Sequence, residues 1–231
     1  MTDWLVLGGR GQLGRSLQEV LTARGMDHVV LGSSDCDITD EASVNAALDA
    51  HRPDVVVNCA AWTAVDAAET EESSAMNINC NGAAVVARAC HSNSALLVHV
   101  STDYVFPGTQ SGPYGENDPT GQPTLSTDLA HHLVDLVVSG SPRGIYHGTN
   151  SMETTWFGFA RMLYALAGVD TDLVTPVPST EYPTRATRPS NSVLGHARTV
   201  AAGVAEMRPW DVALVAGFAD IIDAVRNESV S

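Results

Sequence analysis

A glycine-rich segment near the N-terminus constrains the fold of this chain more than any other feature. Gly8, Gly11 and Gly14 form a G-x-x-G-x-x-G pattern directly between the apolar run 4–7 and the amphipathic stretch 12–24. Glycines at such a position let the backbone turn tightly and let a pyrophosphate approach the N–H groups that begin a helix. A tight turn with no ligand is the alternative. The triplet opens a series of alternating strand and helix patterns, however, and that context favours dinucleotide binding.

The first hundred residues continue this alternation. Apolar runs predict strands at 28–31, 54–58 and 95–101, and helical spacing of apolar residues predicts helices at 41–50 and about 69–92. Continuous runs of β-branched residues are typical of strands that are buried on both faces of a parallel sheet. The sequence therefore predicts an α/β fold with a Rossmann-like, doubly wound parallel sheet.

The pattern changes in residues 107–124, which are rich in Pro, Gly, Asn, Asp and Thr and predict a long loop. We place a dinucleotide-binding half at 1–122 and a smaller C-terminal α/β substrate lobe at 123–231. The elements predicted for this lobe are helices at about 126–139, 152–167, 190–201 and 209–226 and strands at 144–147 and 173–177.

Composition and charge argue against several classes of protein. The net charge of −15 gives a surface that repels phosphate backbones, which argues against nucleic-acid binding. No apolar run reaches the roughly 18 residues that span a bilayer, and the first residues do not resemble a signal peptide, so we expect a cytoplasmic protein. The four cysteines have no CxxC spacing and the eight histidines no HxxxH spacing. We therefore expect reduced, mostly buried thiols and no metal site.

The end of the second predicted strand bears on the choice of cofactor. In dinucleotide-binding sheets an acid at this point binds the ribose 2′-OH of NAD and repels the 2′-phosphate of NADP. Here the strand is followed by Gly-Ser-Ser at 32–34, which favours NADP, with Arg10 as a partner for the phosphate. Asp35 and Asp37 come next along the chain, and either acid could restore a preference for NAD.

Ordered motifs along nearly the whole chain point to one family. They are G-x-x-G-Q-L-G at 8–14, D-I-T-D at 37–40, R-P-D-V-V-V-N at 52–58, A-A-W-T-A-V-D-A-A-E at 60–69, V-S-T-D-Y-V-F at 100–106, P-T-x-x-T-D-L-A at 123–130, G-I-Y-H at 144–147 and E-Y-P-T-x-A-x-R-P-x-N-S-V-L at 181–194. In these motifs the chain resembles the dTDP-4-dehydrorhamnose reductase family, extended short-chain dehydrogenases/reductases that act on nucleotide sugars. Together with the loop, the motifs give these candidate cofactor-binding residues: Gly8, Arg10, Gly11, Gln12, Leu13, Gly14, Asp37, Ile38, Ala60 and Ala61.

The resemblance implies a mechanism that this chain cannot use in its ordinary form. In the family, the threonine matched by Thr102 acts with a Tyr-x-x-x-Lys pair, whose tyrosine donates a proton to the keto oxygen. That pair should lie between P-Y-x-E-x-D at 113–118 and P-T at 123–124, where a segment of about two βα units is absent. All twelve basic residues are arginines, so no lysine exists to complete the pair.

The remaining candidates for catalysis follow the fourth predicted strand. Parallel sheets bind ligands at the edge where their strands end, and we predict Thr102, Asp103 and Tyr104 as catalytic residues. Capping and loop hydrogen bonds are the alternative for Thr102 and Asp103. Tyr104 can donate a proton, but we expect no neighbouring cation to make it a better acid, and a packed loop aromatic is its alternative.

Residues of the C-terminal lobe are candidates for binding a small-molecule substrate. We predict His147, Arg185 and Arg188 in this role, with the arginines as paired donors to a diphosphate. A core histidine and solvent-facing charges are the respective alternatives. His131 and His132 are expected on the surface of a helix. We expect two further acids, Glu116 and Glu153, to face the cleft in which a substrate would bind.

Three functions remain open on these grounds. The first is an atypical enzyme of the reductase family that binds NADP or NAD and acts on a nucleotide sugar or another metabolite. The second is a catalytically inactive nucleotide-binding subunit that regulates or scaffolds a partner, and the third is a cofactor-independent isomerase, dehydratase or cyclase. A gene product that lost a segment and kept only its fold is a further possibility. The shortened sheet predicts a bare flank, covered by a second copy of the chain or by another protein.

Overall fold

The computed structural model describes residues 3–105, 122–178, 181, 183–189 and 191–228, without the side chains of 224–228. The chain divides into two compact units, Met1–Thr102 with Arg185–Thr187, and Asp103–Thr184 with Arg188–Ser231. The predicted loop at 107–124 lies outside the described residues except for its last three. The predicted domain boundary between 122 and 123 stays a prediction.

The first unit contains a parallel sheet whose strands alternate with helices. Its strands are β1 (Trp4–Leu7), β2 (His28–Leu31), β3 (Val55–Asn58) and β4 (Leu96–His99), and its main helices are α1 (Gln12–Ala23), α2 (Glu41–His51) and α5 (Ala83–Ser92). The strand order is β2-β1-β3-β4, and Trp4 pairs in register with both His28 and Val55. This arrangement confirms the predicted α/β, Rossmann-like fold with four strands.

The core of the first unit lies along the two central strands. All four residues of β1 and all four of β3 are buried, whereas β2 and β4 form the edges and are partly exposed. Val44 and Leu48 of α2 and Val86 of α5 are fully buried in the same cluster. The continuous apolar runs that predicted these strands therefore reflect burial on both faces of the sheet.

The predicted helix at 69–92 is divided into several pieces. Within this range a short helix, α4 (Glu72–Met76), precedes a π-helical segment, Asn77–Gly82, which continues into α5. Another short helix, α3 (Val65–Ala68), lies before the predicted range. Asparagine and glycine are weak helix formers, and Asn79 exchanges hydrogen bonds with the backbone of Trp62. A Cβ at Gly82 would lie 2.8 Å from Cδ1 of Ile38, so the glycine permits close packing there.

The four cysteines of the first unit are free thiols. Cys36 and Cys90 are buried, Cys59 is half-buried, and Cys80 in the π-helical segment is exposed. Burial raises the pKa of Cys59 to about 12 and that of Cys90 to about 11. These thiols are therefore protonated at neutral pH.

The second unit is mainly helical in the residues that the structure describes. Its helices are α6 (Ser126–Val138), α7 (Trp156–Leu166), α8 (Ala197–Ala201) and α9 (Trp210–Glu228), with a 3-10 turn at Thr171–Leu173. Within the described ranges, no helix is both long and apolar enough to cross a membrane.

Two element predictions in this unit were wrong, and a third was right only in part. Residues 144–147 form no strand, because Ile145 is largely exposed and the Tyr146 hydroxyl bonds to the Pro142 carbonyl oxygen at 2.6 Å instead of extending a sheet. Residues 173–177 form no strand either, since a 3-10 turn occupies Thr171–Leu173. The helix predicted at 190–201 is confined to α8, because Asn191 accepts a hydrogen bond from the Val193 N–H through its side chain.

A buried polar network joins the helices of the second unit. Asn150 is fully buried, accepts a hydrogen bond from the Leu125 N–H at 2.8 Å, and donates to Asp128 Oδ2 and to the Arg208 carbonyl oxygen. Arg208 in turn donates two hydrogen bonds of 2.7 Å to the Asp128 carboxylate, which raises the pKa of the guanidinium. The start of α6 is thereby tied to the segment that precedes α9.

Candidate functional site

The turn between β1 and α1 is shaped for close backbone approach. Gly8 has φ of +75°, and a Cβ there would lie 2.5 Å from the backbone nitrogen of Ala60. A Cβ at Gly14 would lie equally close to Cα of Gly9. The turn meets the residues after β3 at the point where the strand order reverses, and open α/β sheets bind ligands at such a switch point.

The start of α1 lacks the capping that helices ordinarily have. Gly11 is the N-cap residue with φ of −74°, no side-chain hydrogen bond caps the first turn, and that turn has no acidic residue. A Cβ at Gly11 would meet only the Gly8 carbonyl oxygen, at 3.4 Å. Helix N–H groups with no side-chain cap beside open space suit an anion, so the loop fits a pyrophosphate.

The other predicted cofactor-binding residues lie around this turn with different exposures. Gln12 and Ala61 are exposed, while Leu13 and Ala60 are half-buried. The Ala60 N–H donates to Asn58 Oδ1 at 3.1 Å, which fixes the chain as it leaves β3.

Asp37 and Ile38 serve local structure. The Asp37 carboxylate accepts hydrogen bonds from the backbone N–H and the hydroxyl of Thr39, which lower the pKa of Asp37. The Ile38 side chain is buried in the hydrophobic core. Their assignment to cofactor binding stays a prediction.

Sequence reasoning missed two side chains that organise the switch point. Asn58, the last residue of β3, is buried, and its side-chain Nδ2 atom lies 3.2 Å from Nδ1 of His99 on β4. Asn79 accepts from the Trp62 N–H and donates to the Trp62 carbonyl oxygen, which holds the segment after Ala60. Asn58 is a polar residue at the end of an otherwise apolar run, and that position was a usable signal.

The predicted catalytic residues follow β4. Thr102 is exposed and belongs to the first unit, while Asp103 and Tyr104 begin the second in a 3-10 turn, Asp103–Val105. Tyr104 is 41% exposed, and the Cζ atom of Arg188 lies 5.7 Å from its ring centroid. The expectation that Tyr104 has no neighbouring cation was therefore wrong, because the cation comes from a distant segment of the chain.

The remaining candidate residues from the sequence differ in burial and in their contacts. His147 is buried with Nδ1 2.8 Å from the Gly195 carbonyl oxygen, and its Nε2 has no partner among the described residues. Arg185 is exposed, and its neighbour Ala186 donates its N–H to Asp66 at 3.0 Å. Glu153 is exposed, and Glu116 lies outside the described residues.

The two adjacent histidines of α6 differ from expectation in part. His131 is exposed, as expected, but His132 is buried and only 4% exposed. Ala130, Val134 and Leu136 are buried on the same helix, so His132 points into the apolar interior of the unit. The surface prediction was wrong for His132 because the helix is buried over more of its circumference than its sequence indicated.

A parallel sheet with a glycine-lined turn at its switch point defines the class of Rossmann-type dinucleotide-binding folds. The family model described as RmlD substrate binding domain matches residues 2–121 and 116–222 of this chain. The chain belongs to the dTDP-4-dehydrorhamnose reductase family, as its motifs indicated.

Relatives and solved structures agree with this assignment. The chain is 36% identical to a dTDP-4-keto-6-deoxy-D-glucose reductase of Streptomyces niveus, over 94% of this chain and 97% of the relative. It is also 36% identical to a dTDP-4-dehydrorhamnose reductase of Streptomyces griseus, over 93% and 92%. The dTDP-4-dehydrorhamnose reductase of Bacillus anthracis, solved in complex with NADP, superimposes with a TM-score of 0.88 at 27% identity, covering 95% of this chain and 99% of that one.

The same comparisons bear on the missing segment. The alignment with the Streptomyces niveus reductase spans 281 residues, 50 more than the whole chain of 231, so at least that many aligned positions have no residue here. The family model matches this chain in two parts that overlap at residues 116–121. This overlap falls where the motifs predict that the Tyr-x-x-x-Lys segment is absent.

Proposed function

We propose that this protein binds NADP(H) or NAD(H) at the turn between β1 and α1 and reduces a nucleotide sugar by an atypical route. The observation that carries the proposal is the start of α1, where a glycine N-cap leaves the first turn without a side-chain cap. An Asp, Ser or Asn at this position would stabilise the helix by roughly a few tenths of a kcal/mol relative to glycine. A glycine there is understandable if an anion takes the place of the cap.

The residues of the first unit would hold the cofactor. The Gly11 N–H donates to the Gly8 carbonyl oxygen, so the backbone N–H groups of Gln12 and Leu13 would face the pyrophosphate, and Ala60 and Ala61 would line the switch point. A bound reduced nicotinamide would supply the hydride for reduction of a keto carbon. The complex of the Bacillus anthracis reductase with NADP supports this assignment.

Tyr104 is our candidate for the proton donor that the family motif no longer supplies. Reduction of a ketone places negative charge on its oxygen, and Tyr104 would donate the proton that neutralises it. Arg188, stacked over the ring at 5.7 Å, would stabilise the phenolate that remains. We assign Thr102 and Asp103 to orienting the keto group, and His147 and Arg185 to binding the nucleotide sugar.

The shortened sheet also suggests self-association. β4 is an edge strand, and its residues Leu96, Leu97 and Val98 are half-buried. An edge strand offers unpaired backbone groups to another strand. We therefore propose a homo-oligomer or a protein partner at this edge, which light scattering of the purified protein would test.

Calorimetric titration with NADPH and NADH tests the cofactor site. Gly11→Asp should keep the protein folded, since Gly11 has φ of −74° and Asp is a preferred N-cap. Its carboxylate would repel the pyrophosphate and weaken binding about 100-fold. Gly11→Asn is the matched neutral control and should weaken binding much less. Wild-type protein that binds neither dinucleotide would refute the proposal and leave the cofactor-independent enzyme as the next candidate.

A turnover assay with a 4-keto dTDP-sugar and NADPH tests the proton donor. Tyr104→Phe keeps the ring beneath Arg188 and should lower kcat about 100-fold or more. Tyr146→Phe is the control, because Arg198 stacks on Tyr146 at 5.4 Å in the same way. Arg188→Gln should lower kcat and change its pH profile, and Arg188→Lys should restore part of the loss. Tight cofactor binding with no turnover would instead support the inactive regulatory subunit.

A further inference from the structure

An ion pair lies between the turn after β1 and the end of β2. The Arg10 side chain extends over Gly32, where a Cβ would lie 2.6 Å from Arg10 Nε and 2.8 Å from its Cδ. The guanidinium then donates a hydrogen bond from an Nη atom to Asp35 Oδ2 at 3.2 Å. Gly32 therefore provides the space in which Arg10 reaches Asp35.

The Asp35 carboxylate is held in place by the chain around it. The Gly32 N–H donates to Oδ2 at 2.9 Å and the Ser34 hydroxyl donates to Oδ1 at 3.3 Å. The Gly32 hydrogen bond and the nearby Arg10 lower the pKa of Asp35, so the carboxylate is charged at neutral pH. The acid stands three residues beyond the glycine that follows β2.

Both members of the pair border one open groove beside the glycine-rich turn. The groove has a volume of about 500 Å³ and is lined by Gly9, Arg10, Arg15, Val30 and Asp35, among others. Dinucleotide-binding sheets place the adenosine ribose near the end of the second strand, where an acid binds a 2′-OH and an arginine binds a 2′-phosphate. This chain has both residue types there, bonded to each other.

We propose that the Arg10–Asp35 pair sets the choice between NAD(H) and NADP(H), with Asp35 as the residue that disfavours the 2′-phosphate. This inference rests on the proposed function, because it concerns the same cofactor. While Arg10 is bonded to Asp35, the Asp35 carboxylate can still accept a hydrogen bond from a ribose 2′-OH. A 2′-phosphate requires Arg10 to exchange its single contact with Asp35 for the phosphate oxygens, while the carboxylate remains close by and repels them.

The exposure of the pair makes this exchange feasible. The side chains of Arg10 and Asp35 are 69% and 41% exposed, and an exposed ion pair with one contact is weak. A phosphate offers the guanidinium several acceptors and more charge than a carboxylate does. Arg10 can therefore leave Asp35, and we expect the wild-type protein to bind both dinucleotides with little preference.

The test measures dissociation constants for NADPH and NADH by calorimetry. Asp35→Asn should raise the NADPH preference, Kd(NADH)/Kd(NADPH), about tenfold by removing the like charge, and should make NADPH binding more sensitive to salt. Arg10→Gln should lower the same ratio about tenfold while NADH affinity changes little. Asp40→Asn removes an equal charge from the exposed N-cap of α2, where Asn caps as well as Asp, and is the control.

The outcomes separate this inference from the proposed function. If the wild-type protein binds a dinucleotide but Asp35→Asn changes the ratio no more than Asp40→Asn does, the inference is overturned and the proposed cofactor site stands. If the wild-type protein binds neither dinucleotide, both fail. Thermal unfolding of each variant establishes that the exposed substitutions leave the fold intact.

Discussion

In the first unit the buried side chains are overwhelmingly apolar: β1, β3, α2, α5 and the segments just before α2 and β4 contribute Leu, Val, Ile, Ala and Cys to one cluster. In the second unit buried polar residues are frequent, and His132, His147, Thr149, Asn150 and Thr199 are all less than 10% exposed. The first unit therefore depends on burial of apolar area, which is not directional. The second depends in addition on hydrogen bonds whose partners must each be in place. The two units should differ in how they respond to substitution and to pH.

The largest expected effect is the truncation of an apolar core side chain in the first unit. Leu48→Ala removes a fully buried side chain that packs beneath the sheet and should lower the free energy of unfolding by about 3 kcal/mol. Hydrogen exchange should show the loss of protection in 3–102. Val138→Ala, at a 62% exposed position of α6, is the control and should change stability little. Equal destabilisation by both variants would contradict the assignment of the core.

A somewhat smaller effect is expected from the polar network of the second unit. Asn150→Ala leaves the Leu125 N–H and part of the Asp128 carboxylate without their partner, at a cost of about 2 kcal/mol. Urea unfolding measures the cost, and hydrogen exchange should place the lost protection in α6 and around Arg208. Asn81→Ala removes only an exposed hydrogen bond to Asn77 and is the matched control. Loss of protection in the first unit instead would argue that the network does not organise the second.

The smallest expected effect is a dependence of stability on pH. Burial lowers the pKa of His132 below its usual 6.5, and the nearby His196 lowers it further, while Asp135 acts in the opposite direction. The unfolded chain then binds more protons than the folded one as the pH falls below about 6.5. The contribution of His132 is complete above that pH and is lost as the pH falls towards the folded pKa.

Unfolding in urea between pH 7.5 and 5 measures this dependence. His132→Leu removes the titrating ring and should flatten the pH profile of the second unit, whereas His131→Leu, on the exposed side of α6, should leave the profile as it is. A wild-type profile that is already flat over this range would show that His132 titrates normally.

The same contrast explains how far the sequence predicted the structure. The strands at Trp4–Leu7 and Val55–Asn58 were predicted almost to the residue, because apolar runs directly record burial on both faces. The Asn150 network and the stacking of Arg188 on Tyr104 join residues far apart in the chain, and no local pattern encodes such pairs. Residues 144–147 show the converse, since Gly-Ile-Tyr-His has strand-forming residues but no neighbouring strand in the described part of the unit.

Within the site, the sequence predicted the turn better than the groups around it. Gly8, Gly11 and Gly14 were identified by their spacing between the first strand and the first helix, and at Gly8 and Gly14 only glycine fits the close backbone contacts. The bond between Arg10 and Asp35 was not, because each residue separately suggested a different cofactor. Their pairing depends on the register of β1 beside β2, which brings the two strand ends together.

The exposed Cys80 has a practical consequence. It lies in the π-helical segment beside Asn79, which holds the Trp62 backbone near the switch point. The other three thiols are buried or half-buried, and the chain has no lysine to compete for less selective reagents. A maleimide fluorophore should therefore label the natural protein at one predominant position. Its emission would report on ligand binding at the β1–α1 turn without any engineered residue.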